Sequence, residues 1–451
     1  MLTYPFHNKI LSALSLVIIP IIISIIYLSS FAINFYLYLF LAVIIFLSLF
    51  TKHNIKAWFW LSLFLIIYSF PHFTEYYLYG ANNMIPTTAK KYNYIMNLST
   101  YNLEAIRLIL SFILSLVLGS NLFSLIKTKP KIEDSKKKLL INNSSKISIF
   151  KKIILFSLML FLAIYSISAI DFTAQRQGYS LGGFSILFGA CYILNFFLLY
   201  YFLNIKDRYK YFILILVFYS VMLGFLGVRQ VIFWLFVSLL IAHFFNSYIS
   251  NIKINWVRIF FYIGIIAVFF AIILAFRNQK LLDATVLSRT GEMILFGFKA
   301  ETNYTFYNMF SSIDISKRED LFFMKSFGDI LYYLIPRPIF PNKYEFISLY
   351  QFIKSYDLSP FGSSFYLGEL KLTLRYDFFI LLFGLIISFV SETFLLHTLK
   401  KKDILLLTLY ISFLVMVFIY PIRGPIGGGI KIFLQYNLIF YIFLKYRLII
   451  K

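Results

Sequence analysis

The chain has 451 residues, of which 61% are hydrophobic, 21% aromatic and only 14% charged, at a mean hydropathy of +0.82. Usage this apolar excludes an ordinary soluble globular chain and points to the polytopic membrane class. The formal charge of +23 would fit nucleic acid, but the lysines lie in short intervals between apolar stretches, where anionic headgroups and the orientation rule account for them.

A bilayer core takes about 20 apolar residues per helix, and that criterion predicts twelve spans: 10–28, 31–50, 57–70, 106–126, 153–171, 182–203, 211–227, 231–249, 259–276, 378–397, 404–420 and 430–447. The expected fold is an all-α polytopic membrane helix bundle, residues 1–451 forming a single integral membrane domain. The first apolar segment has no small-residue cleavage site and reads as a retained helix hairpin with the second.

Lysine and arginine in short loops favour the cytoplasmic side. Lys52, Lys56, Lys206, Lys253, Lys400 to Lys402 and Lys445 alternate with the spans so that both termini are predicted cytoplasmic. Residues 127–152 then form a basic cytoplasmic linker. Residues 71–104 and the long polar interval 277–377, between spans 9 and 10, become external loops.

Arginine departs from that pattern. Arg107, Arg176, Arg229, Arg337, Arg375 and Arg423 all fall outside or at the outer interface, where a permanent planar charge suits phosphate or carboxylate. External acids such as Glu301 and Glu345 offer the competing account, ordinary ion pairing.

Within 277–377, Pro336-Arg337-Pro338 and Pro341-Asn342-Lys343 form a stiff, non-helical segment, because proline fixes φ and removes donors. It holds Arg337 and Lys343 at a set separation, either to clamp a diphosphate or to face headgroups. Downstream, Gly368-Glu369 precedes a span. Glu369 near a low-dielectric boundary can carry a raised pKa and act as a general base, or pair with Lys371 or Arg375. Arg176, Arg229 and Arg423 mark the outer ends of other spans, and Gly424 to Gly429 either offers backbone N–H groups to an anion or makes a tight helix connection.

Cys191 is the single cysteine, so no intramolecular disulfide or cysteine metal site exists. There is no external Asp-x-Asp pair, Walker loop, Gly-x-Ser-x-Gly elbow or His-Glu-x-x-His site. His72 is the one histidine placed outside, and Glu392 and Asp171 are the chief charges within spans.

The stretch Leu334-Ile335-Pro336-Arg337-Pro338-Ile339-Phe340-Pro341-Asn342-Lys343, followed by Gly362-Ser363-Ser364 and Gly368-Glu369, resembles the oligosaccharide repeat-unit polymerases of bacterial surface polysaccharides, the O-antigen polymerase (Wzy-type) family. Leu226-Gly227-Val228-Arg229 resembles the end of a mid-chain helix there. Tyr344 stands where the family pattern often has a further proline.

The resemblance implies an inverting, metal-independent glycosyltransferase of the bacterial cytoplasmic membrane, without a cofactor, joining undecaprenyl-diphosphate-linked oligosaccharides at its outer face. It implies a chain-length regulator as a further partner besides the bilayer. Catalytic roles fall to Glu369 and Arg337, and diphosphate binding to Arg176, Arg229, Arg423 and Lys343. External aromatics either stack on sugars or form an interfacial belt. The competing expectations are a lipid-linked oligosaccharide flippase or transporter, and an O-antigen ligase.

Overall fold

A computed structural model of the protein describes residues 4–51, 55–79, 98–126, 184–204, 229–250, 365–401, 403–422 and 426–449, with shorter pieces near 219, 254–264 and 306–317. These residues are overwhelmingly helical, and no strand occurs among them. The helices are α1 (Tyr4–Leu28), α2 (Phe31–Ser48), α3 (Ala57–Tyr79), α4 (Leu98–Ile126), α5 (Phe184–Asn204) and α6 (Arg229–Ser250), then α7 (Tyr366–Leu374), α8 (Asp377–Lys401), α9 (Ile404–Phe413), α10 (Ile426–Lys431) and α11 (Ile439–Ile449). π-helical turns at Leu414–Ile419 and Ile432–Leu438 flank the glycine-rich α10.

Seven described helices are long and apolar enough to cross a membrane, and the apolar helices Ser12–Leu28 and Gly189–Asn204 are shorter. The predicted spans 153–171, 211–227 and 259–276 and the linker 127–152 lie almost wholly outside the described residues. Large side chains left bare on the helices, such as Val17 and Ile21 on α1 and Phe378, Leu382, Ile386 and Val390 on α8, form apolar stripes suited to hydrocarbon.

Three boundaries differ from expectation. The third helix does not stop before Pro71 but runs through it to Tyr79. α4 starts at Leu98 and not near 106. Polar residues in these extensions find partners inside the protein, which is why they do not form a solvated loop: His72 Nε2 meets Asn102 Oδ1 at 2.7 Å, and Tyr101 donates to Asp314 Oδ1 at 2.6 Å. Gly427, Gly428 and Gly429 are helical and not part of a tight connection. Gly429 lies against the Met416 carbonyl where a Cβ would not fit.

The chain folds into two compact units. The first comprises Met1–Pro130, Ala300–His397 and Met416–Lys431, and the second Lys131–Lys299, Thr398–Val415 and Ile432–Lys451. In the first, α1 and α4 are joined by Ser12 to Ser124 at 2.8 Å and by Asn121 Nδ2 to Ser15 Oγ at 2.9 Å. Small residues let α4 and α8 approach closely: Gly384 abuts Ser115 and Phe112, Gly119 abuts the Leu385 carbonyl, and Ser388 donates to the Leu116 carbonyl at 2.6 Å. Such small-residue crossings are how helices associate in lipid, where burial of apolar surface supplies little drive.

In the second unit, Asn195 on α5 donates to the Val231 carbonyl of α6 at 3.0 Å and accepts from Tyr219 at 2.9 Å. Gly189 lies against the ring of Tyr436. Asp403 caps α9 by accepting from the Leu405 amide at 2.8 Å, satisfying one of the donors a helix start leaves open.

Candidate functional site

Glu369 is the one sequence-selected site residue whose side chain falls among the described residues. It sits on α7, a nine-residue helix, with 6% of its surface exposed. Its Oε2 accepts the backbone N–H of Ile426, the first residue of α10, at 2.8 Å. The contact tolerates a carboxylate because helix starts present unpaired N–H groups with partial positive charge. Tyr366, one turn earlier, has its hydroxyl pKa pushed up by burial and then by the Glu369 charge.

α7 can lie this close because of Gly368, whose Cβ would meet Ser312 Oγ at 2.9 Å and Met309 Cα at 3.1 Å. Arg229 is the first residue of α6, with its side chain outside the described residues. Arg176, Arg337, Lys343 and Arg423 also lie outside them, as does nearly all of 277–364.

The other edge of α7 builds a charged cluster that the sequence reading did not assemble. Lys371 is one of two ion-pair alternatives that the sequence offers for Glu369, beside the glutamate's role as a base, but the lysine Nζ reaches Asp377 Oδ1 at 2.6 Å and Glu104 Oε1 at 3.1 Å. Lys317 pairs with Glu104 Oε2 at 2.7 Å, and Tyr27 donates to Asp377 Oδ2 at 2.8 Å. Burial pulls the Lys371 ammonium down, but the attraction and hydrogen bonds of Asp377 and Glu104 outweigh it and leave the pKa above the usual lysine value.

The link between α7 and α8 makes this geometry. Arg375 takes φ 55° and ψ −55°, and the Tyr376 amide bonds back to the Leu374 carbonyl. This is a γ-turn with a positive-φ arginine, a rare and strained conformation. It reverses the chain within three residues and brings Asp377, in the first turn of α8, back to Lys371.

Tyr27, Leu103, Glu104, Arg107 and Asp377 line a cleft of about 260 Å³. Arg107 donates from Nη2 to the Ser29 carbonyl at 2.7 Å. Its buried Nε has no acceptor among the described residues, a deficit that costs about 1–3 kcal/mol in a protein interior. Glu104 and Arg107, three apart and the only charged residues on α4, are the signal in the sequence that points to this face.

A second polar site lies fifteen residues further along α8, about 22 Å at 1.5 Å per residue. Glu392 Oε1 accepts from Ser120 at 2.6 Å and pairs with Lys56 at 2.8 Å. This ties α3, α4 and α8 together, so the charge predicted within the tenth span has its counter-ion. His72 is fully buried among Phe73, Phe306 and Phe310, which makes it a core residue of the first unit.

No protein-family model, curated protein or solved structure matches the chain.

Proposed function

We propose that the protein is a polysaccharide repeat-unit polymerase of the bacterial cytoplasmic membrane. It moves a growing glycan from undecaprenyl diphosphate onto the terminal sugar of an incoming lipid-linked unit at the outer face, with both termini cytoplasmic. The acceptor hydroxyl loses its proton to Glu369 and attacks the anomeric carbon. The bond to the diphosphate oxygen breaks with inversion, and its electron pair leaves with the diphosphate. Arg337, Arg176, Arg229, Arg423 and Lys343 bind that leaving group, each charge-assisted hydrogen bond contributing roughly 1.5–3 kcal/mol. No metal or cofactor enters the reaction.

The observation that carries the reading is the Ile426 to Glu369 hydrogen bond between residues 57 apart. It brings the carboxylate of the Gly368-Glu369 motif to the start of α10, the helix that follows Arg423 in the sequence. Glycosyl transfer needs a base and cationic groups for the leaving diphosphate, and the proposed reading takes them from these sequence-distant motifs. A lipid-linked oligosaccharide transporter would draw instead on the charge within α8, but Glu392 is neutralised by Lys56 and bonded by Ser120, an arrangement suited to holding helices.

The deciding experiment supplies purified protein in lipid with undecaprenyl-diphosphate repeat units. A glycan ladder formed without other proteins is expected, and it should vanish in Arg337→Ala. Transbilayer movement without new linkages would favour the transporter, and transfer of finished polymer to a separate acceptor would favour the ligase.

A further inference from the structure

We infer that the cleft between Glu104, Arg107 and Asp377 is a sugar-binding subsite, which on the polymerase reading holds the acceptor unit by its hydroxyls. The wall alternates acceptors and donors. Glu104 and Asp377 present carboxylate oxygens whose remaining lone pairs can take hydroxyl protons. Arg107 carries a guanidinium only partly used by the Ser29 carbonyl, which takes one hydrogen bond from Nη2. The Tyr27 hydroxyl, donating to Asp377, is left as an acceptor. Sugar hydroxyls donate and accept at once, so they match such a mixed wall.

Size and charge narrow the ligand further. About 260 Å³ lies just under the roughly 300–1,000 Å³ of pockets for drug-sized molecules, which suits one ring better than an oligosaccharide. Leu103 supplies an apolar patch for the ring C–H face. A phosphate fits poorly. Lys317 and Lys371 already neutralise Glu104 and Asp377, and the carboxylate oxygens that line the cleft remain hydrogen-bond acceptors, which a sugar hydroxyl can satisfy and the oxygens of a phosphate ester cannot. The diphosphate therefore belongs elsewhere and the sugar here.

The test uses full-length Leu103→Cys protein in lipid nanodiscs, since the native Cys191 is buried. Maleimide modification is timed with a neutral hexose, an N-acetylhexosamine, a 6-deoxyhexose or inorganic phosphate at matched ionic strength. At about ten times its Kd a bound sugar should slow labelling roughly tenfold, phosphate should not, and adding Glu104→Gln or Arg107→Gln should remove the protection. No protection by any sugar, or equal protection by phosphate, overturns the proposal.

Leu103→Trp supplies a second measurement, because it fills the cleft and leaves every ion pair in place. In the polymerisation assay it should raise KM for the acceptor unit with kcat retained. A ladder whose acceptor KM is unchanged in this variant sinks the subsite and leaves the polymerase standing. Sugar protection in a protein that makes no ladder sinks the polymerase and leaves the subsite.

Discussion

Gly384 on α8 and Ser115 on α4 are packed so closely that a Cβ on the glycine would overlap the serine hydroxyl and the ring of Phe112. The crossing places Asp377 at one end of α8 and Glu392 further along it against residues of α4, so both polar sites depend on it.

Gly384→Leu should therefore separate α4 from α8. Overpacking of this kind costs about 1–3 kcal/mol, and thermal unfolding in detergent should show the loss. Leu382→Ala, on the bare face of the same helix, should be near neutral. Equal stability of Gly384→Leu and wild type would refute the close crossing.

Lys56→Met should destabilise more, by about 3–5 kcal/mol, because it strands the Glu392 carboxylate where its side chain is only 8% exposed. Replacing both, Lys56→Met with Glu392→Leu, should recover most of that loss. A double variant as unstable as the single one would assign the pair a role beyond mutual compensation.

Lys371 supplies a pH dependence. Its folded pKa lies above the ordinary 10.5, so its contribution is complete below pH 10.5 and fades as pH rises through the folded value. Wild type should lose stability in that alkaline window more steeply than Lys371→Met. Parallel curves for the two proteins would contradict the Glu104, Lys371, Asp377 arrangement.

Arg375 is the only non-glycine residue with positive φ among those described. Residues in sparsely populated conformations cost about 1–3 kcal/mol, and glycine escapes most of that strain. Arg375→Gly should be more stable than Arg375→Ala in a denaturation series, and the reverse order would argue against the γ-turn.

Glu369→Gln separates two roles. Glutamine keeps an oxygen for the Ile426 N–H but takes no proton, so polymer synthesis should fall at least about a hundredfold while the protein stays folded. Glu369→Ala should lose both activity and stability. Full activity in the glutamine variant would leave Glu369 a positioning residue only.

How much of this was readable beforehand depended on the range of the interaction. Phe31–Ser48 announces itself as a helix because eighteen residues in succession are almost all apolar, a local property. The end of α3 at Tyr79 is not legible locally, because Pro71 and His72 look like a loop to any local criterion. Their polarity is satisfied by Asn102 and the surrounding aromatics, which no window of sequence contains. Glu369 was legible as a charge beside a span, but its partner was not: Lys371 and Arg375 are nearer in sequence than Ile426, and a helix start proved the site of its hydrogen bond.

By itself, then, the sequence determined apolar helices of membrane-spanning length, because hydrophobic length and composition act within each segment. Only the tertiary structure decided that Glu104 meets Lys317 and Lys371, that Lys56 neutralises Glu392, and that Arg107 opens onto a cleft with Asp377. Charges in a low-dielectric interior must find partners within a few ångströms, and which ones come that close is set by how the helices cross at residues as small as Gly119 and Gly384.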